Sequence, residues 1–261
     1  MQWLENIGGL GPTPRHHLGG RKATRRLIEM ADLNDNQKVL VPGCGNGETA
    51  IAIATLYNCQ VTGTDINPAA ISEADKNLGR IKKNLKGKLS FRIDDLLNSR
   101  IPDNSYDRVV VESVLIMLPK DQALNSIQSL LASEGLLAIN EGLRRSGDLS
   151  SLANIEKEFK KIGINWSLPS YEEWNNYFER NNFTVISDSS PIPYRITLLG
   201  LESFLRSPVN NTKRFVRMLF NPDARGFFAR VMFLLVKTQV RWGYGIWICK
   251  KNDNRKGVAN Q

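Results

Sequence analysis

Between residues 36 and 141, short apolar β-branched runs alternate with longer stretches of helical periodicity, and few architectures accept that alternation. A strand followed by a helix and another strand reads as a βαβ unit, and repeated units build a parallel sheet covered by helices. Strands are predicted at 38–42 (KVLVP), 60–64 (QVTGT), 89–93 (LSFRI), 107–112 (DRVVVE) and 135–140 (GLLAIN), with helices at 47–57, 68–84 and 120–133 between them. Asn67-Pro68 marks a helix start, because Asn caps well and Pro is tolerated at the first helical position. Asp65 is thereby expected in the loop above the sheet.

The flanks read differently. Residues 21–33 place Leu27, Ile28, Ala31 and Leu33 at helical intervals, predicting an amphipathic helix that packs on the sheet edge. Beyond Arg145, helices are expected at 149–162 and 170–181, a strand at 183–187, a basic and aromatic helical stretch at 191–240, and a closing strand at 241–250. The resulting division is an N-terminal lid or helical segment (1–35), a core (36–190), an insertion (191–240), the closing strand and a mobile polar tail (251–261).

Val39-Leu40-Val41-Pro42-Gly43-Cys44-Gly45-Asn46-Gly47 leaves a buried strand and enters a helix through three alternating glycines. Glycine admits backbone angles closed to other residues and lets a ligand approach the main chain. The spacing is GxGxG, whereas the dinucleotide fingerprint is GxGxxG, which argues against a phosphate on the helix N-terminus. Asp65 follows Gly47 by 18 residues. It brings a carboxylate beside the first loop, able to accept hydrogen bonds from both hydroxyls of a ribose.

These segments resemble the first motifs of the class I S-adenosylmethionine-dependent methyltransferases. Phe91-Arg92-Ile93-Asp94-Asp95-Leu96 resembles the third-strand motif, whose acidic residue and following amide hold adenine; register from Pro102-Asp103-Asn104-Ser105-Tyr106-Asp107 favours Asp95, with Asp94 the close second. The stretch 106–115 resembles the fourth-strand motif, and Glu112 there is a candidate partner for the donor's ammonium group. Ser133-Glu134-Gly135 replaces the usual Pro-Gly-Gly turn before the fifth strand. Within the superfamily the likeness is to ubiquinone-biosynthesis and arsenite-methyltransferase-like enzymes of small molecules.

The resemblance implies an α/β fold: a Rossmann-like, seven-stranded, mostly parallel sheet with helices on both faces, an N-terminal helix and a helical insertion before the last strand. It implies S-adenosyl-L-methionine as cofactor and S-adenosyl-L-homocysteine as product. The implied binding set is Pro42, Gly43, Cys44, Gly45, Gly47, Asp65, Ile66, Asp94, Asp95, Leu96 and Glu112.

Methyl transfer from a sulfonium is driven largely by positioning, so no catalytic residue is assigned. His16 and His17 are the only histidines, able to act as a base if the N-terminal segment covers the site and otherwise an exposed pair in a turn. Glu141 either orients an amine acceptor or is solvated. The aromatics of 191–240 either enclose the acceptor or form core. Cys44, Cys59 and Cys249 are too scattered for a disulfide framework, and no metal is expected. The N-terminus lacks the order of a signal peptide and no apolar run approaches the roughly 18 residues of a membrane span, so a cytoplasmic enzyme with a small-molecule acceptor is expected. The net charge of +9 keeps an RNA or protein acceptor as the second reading, and a nicotinamide-dependent oxidoreductase as the third.

Overall fold

The computed structural model describes residues 19–81, 85–146, 149–161, 165–189, 191–193, Gly226 and 241–252. The apolar runs form one sheet. Strands β1 (Lys38–Pro42), β2 (Gln60–Asp65), β3 (Lys88–Ile93), β4 (Tyr106–Glu112), β5 (Leu131–Ser146), β6 (Phe183–Asp188), β7 (Ile192–Pro193) and β8 (Arg241–Lys251) are ordered β3-β2-β1-β4-β5-β8-β6, with the two-residue β7 paired to β8. The first five pair in parallel, while β8 runs antiparallel to both β5 and β6.

Six helices accompany the sheet among the described residues: α1 (Gly20–Met30), α2 (Glu48–Leu56), α3 (Pro68–Ile81), α4 (Lys120–Leu130), α5 (Leu149–Lys161) and α6 (Tyr171–Arg180). Side chains alternate between faces along a strand. Val39, Val41, Val110, Ala138, Ile246 and Ile248 accordingly pack with Leu27 and Ile28 of α1 and Ile53 of α2. Leu40, Val109, Val111, Leu137, Ile139 and Trp247 meet Leu124 and Ile127 of α4 and Trp174 and Phe178 of α6. The core is thus two apolar layers separated by one sheet, the arrangement that buried βαβ strands require.

Three expectations change. Helix α1 lies on a sheet face against β5 and β8 rather than at an edge; its entry at Gly19 (φ 80) abuts Tyr244 of β8 so closely that a β-carbon would sit 2.6 Å from the ring. Helix α4 ends at Leu130, and β5 starts at once instead of at 135. Its partners jump from Tyr106↔Leu131 to Arg108↔Leu136. The turn absorbed by that jump holds Glu134 at φ 62, the left-handed region in which glycine is the comfortable residue. The sheet also gains β7, an eighth strand. His16, His17, nearly all of 191–240 and the tail beyond 252 lie outside the described residues.

Candidate functional site

The sheet order places β1 between β2 and β4, so the chain builds out to β3 on one side of β1, returns to β4 on the other, and opens a crevice at the carboxyl ends. The glycine loop fills that position. Gly43, Gly45 and Gly47 have φ of 62, 53 and 83, all left-handed. Their surroundings differ. A β-carbon on Gly43 would lie 2.4 Å from Val114 Cγ2, and one on Gly47 would lie 2.5 Å from Phe91 Cζ, whereas one on Gly45 meets nothing within 4 Å. The outer two glycines therefore admit neighbours, and the middle one faces open space.

The loop's path is fixed by backbone bonds. The Cys44 amide donates to Thr64 O at 2.8 Å and Gly47 N to Cys44 O at 2.9 Å. The Asp65 carboxylate holds the loop from β2, its Oδ2 accepting from Gly45 N and its Oδ1 from Asn67 N, each at 2.9 Å. Burial raises the Asp65 pKa from the ordinary carboxylate value, and the two amides pull it down again. Asn67 Oδ1 in turn caps α3 through Ala69 N at 2.9 Å. One aspartate thus ties the first two strand ends together. Cys44, whose thiol burial pushes its pKa well above the ordinary thiol value, faces inward against Gly63.

The third-strand pair divides its work. Asp94 accepts from Ser99 Oγ at 2.6 Å and Arg100 N at 3.1 Å, and its side chain is only 5% exposed. Asp95 caps the 3-10 turn Leu96–Asn98, accepting from Leu97 N at 3.0 Å and Asn98 Nδ2 at 2.9 Å. Leu96 is buried, while Ile66 and Ile93, at the ends of the paired strands β2 and β3, are 50% and 57% exposed. Two large apolar side chains thus stand in solvent beside three carboxylates.

Glu112 ends β4 on the α1–α2 face. It accepts from Thr49 Oγ1 at 2.6 Å, Thr24 Oγ1 at 3.1 Å and Asn140 Nδ2 at 3.2 Å, bracketing both helices to the sheet. Glu141 is not solvated: it is fully buried within β5, which runs on to Ser146, and it accepts from the amides of Val114 and Leu115. Sequence reasoning missed Lys120, Thr24, Thr49 and Val114. A lysine at a helix start and threonines on helices carry no local sign of what they will touch.

A family model described as a methyltransferase domain matches residues 33–182. The phosphoethanolamine N-methyltransferase of Plasmodium falciparum is 25% identical over 236 residues, covering 87% of this chain and 84% of that protein. Among solved structures, the [4+2]-cyclase SpnF superposes with a TM-score of 0.71 at 20% identity, covering 96% of this chain and 92% of that one. Phosphoethanolamine N-methyltransferase 2 of Haemonchus contortus, in complex with phosphomonomethylethanolamine and S-adenosylhomocysteine, superposes with a TM-score of 0.67 at 17% identity, covering 95% of this chain and 56% of that one.

Proposed function

Since the chain belongs to the methyltransferase-domain family, we infer that it transfers the methyl group of S-adenosyl-L-methionine to a nitrogen, oxygen or sulfur atom of a small molecule. The observation that carries this is the open space over Gly45, bounded by the Asp65 carboxylate and by main chain in the left-handed conformation. A ribose fits beside Asp65, whose oxygens each have a lone pair beyond the amide they accept. An adenine ring fits the apolar surfaces of Ile66 and Ile93. The near-complete burial of Asp94 leaves Asp95, with the Leu96 amide, as the pair we assign to the base's polar edge. Pro42, Gly43, Cys44 and Gly47 shape the floor. Glu112, already bonded to Thr24, Thr49 and Asn140, supports that floor from below.

When bound, the donor supplies an electrophilic methyl carbon with a neutral thioether as leaving group. The chain's own residues need only orient it and keep water from the crevice, since positive charge disperses as the reaction proceeds. Transfer from a sulfonium needs no side chain poised as a base. The SpnF cyclase shares the fold, so architecture alone does not carry the reading; the family match and the loop do. A small acceptor is supported by the Plasmodium relative, a phosphoethanolamine N-methyltransferase matched along most of both chains. RNA remains the second acceptor class on the ground of the net charge of +9.

Calorimetric titration with S-adenosylhomocysteine tests the site. Gly45→Val is expected to abolish binding by filling the open space, and Asp65→Ala to weaken it by about 1–3 kcal/mol through loss of a charged acceptor. Wild-type affinity in both variants would refute the assignment. Turnover of isotopically labelled donor on a metabolite extract, with and without added RNA, then identifies the acceptor class by mass spectrometry.

A further inference from the structure

The turn that follows β4 is gripped at both ends by buried groups of opposite charge. Glu141 Oε1 accepts from Val114 N and Leu115 N, both at 2.7 Å, and Oε2 from Ile116 N at 3.4 Å. Lys120 Nζ donates to Ile116 O and Leu118 O, both at 3.2 Å. Glu141 is 0% exposed and Lys120 4%. The single helical turn Leu115–Met117 thus has its leading N–H groups on a carboxylate and its trailing carbonyls on an ammonium, the arrangement that satisfies orphan groups at both termini. Two residues before it, Ser113 is held at φ 56, a conformation that persists only where its surroundings impose it.

What the turn carries is the wall of the crevice. Val114, whose amide Glu141 holds, lies so close over Gly43 that no β-carbon fits between them. Where the Val114 amide sits therefore sets the width of the space beside the glycine loop. Glu141 is also kept dry. It is registered opposite Gly245 of β8, and the Trp247 ring occupies the room that a side chain at Gly245 would need, 2.4 Å from its β-carbon position.

We propose that Glu141, backed by Lys120, is a positioning residue that fixes the 113–118 turn as a wall of the donor site, so that donor affinity depends on a carboxylate buried behind that wall. The proposal rests on the methyltransferase reading. Lys120 is the charged group facing Glu141 from α4; the Leu115–Met117 turn and, on β8, Gly245 and Trp247 present none, and Glu156 of α5 acts on Lys120 rather than on Glu141. Burial pushes Glu141 up to about 7 and Lys120 down to about 8. Below neutrality the carboxyl takes a proton, keeps one good acceptor and turns an O–H toward an amide. The grip is complete only when Glu141 is ionised.

The test compares S-adenosylhomocysteine affinity from pH 5.5 to 8.5 in wild type, Glu141→Gln and Lys120→Met, with thermal unfolding of each to report the folded fraction. Wild-type affinity is expected to rise with pH across a midpoint near 7. In Glu141→Gln that step should vanish and affinity at pH 8 fall about tenfold, the factor that one buried hydrogen bond to a charged group is worth. In Lys120→Met, which removes the stabilising cation, the step should move to higher pH. A purely structural role would lower the melting temperature but leave the step in place. If folded Glu141→Gln shows the wild-type affinity and the wild-type step, the clamp is wrong while the donor site stands; if wild type itself binds no S-adenosylhomocysteine at any pH, the methyltransferase reading falls and the clamp with it.

Discussion

The three loop glycines share a left-handed backbone but not their surroundings, and single methyl groups separate them. A methyl at Gly45 enters open space, so Gly45→Ala should lose only the left-handed strain, about 1–2 kcal/mol of unfolding free energy. At Gly43 the same strain is joined by a collision with the stiff Val114 side chain, and Gly43→Ala should lose at least about 1 kcal/mol more. Urea titrations of the two variants check this ordering, and equal losses would show that the wall over Gly43 gives way freely. The glycine loop and Asp65 were legible in the sequence because their chemistry is local: glycine spacing, a strand before, a helix after. Glu141 and Lys120 were not, because a glutamate just past a predicted strand and a lysine opening a helix look the same whether solvated or buried. Part of the surroundings of Glu141 comes from Gly245 and Trp247, on a strand about a hundred residues further along the chain.

At the scale of elements, β1 and β4 were readable because burial on both faces leaves uninterrupted apolar runs. The α4–β5 junction was not, since Ser133-Glu134-Gly135 lacks the glycine that would mark the left-handed turn at Glu134. Nor could periodicity tell a sheet face from a sheet edge for α1, because an amphipathic helix buries the same stripe on either. Helix α6 was placed nearly to the residue, and its start has a local cause: Ser170 Oγ accepts from Glu173 N at 3.1 Å while Glu173 Oε2 accepts from Ser170 N at 2.8 Å. The cap fixes the helix that buries Trp174 and Phe178 completely. Ser170→Ala should therefore lower stability by about 1 kcal/mol. Because α6 packs chiefly on β6, β5 and α4, S-adenosylhomocysteine affinity should stay within about twofold of wild type; a larger change in calorimetry would place α6 in the site.

For the molecule as a whole, the buried pair behind the crevice gives stability an unusual dependence on pH. Glu141 has a folded pKa raised from 4.5 to about 7 by burial, so its contribution is fully present below 4.5 and lost as pH rises through 7. Lys120 is lowered from 10.5 to about 8, so the folded state releases its proton first and stability rises again between 8 and 10.5. Asp65, raised in the same direction as Glu141, adds to the loss on the acid side of neutrality. Taken together, the fold should be held least firmly by this pair between pH 7 and 8, where both charges are buried. Urea midpoints at pH 5, 6, 7 and 8 for wild type and Glu141→Gln test this. The variant should gain on wild type by up to about 3 kcal/mol across that range, 1.36 kcal/mol for each unit by which the Glu141 pKa is raised. A constant difference would mean that Glu141 does not titrate there. The opposite slopes expected for stability and donor affinity follow from one fact: the ionised carboxylate is the form that grips three amides and also the form that burial disfavours. Leucine at 141 would remove the buried charge but strand the amides of Val114, Leu115 and Ile116 and the Lys120 ammonium, so the carboxylate's burial cost is offset by the groups that it satisfies.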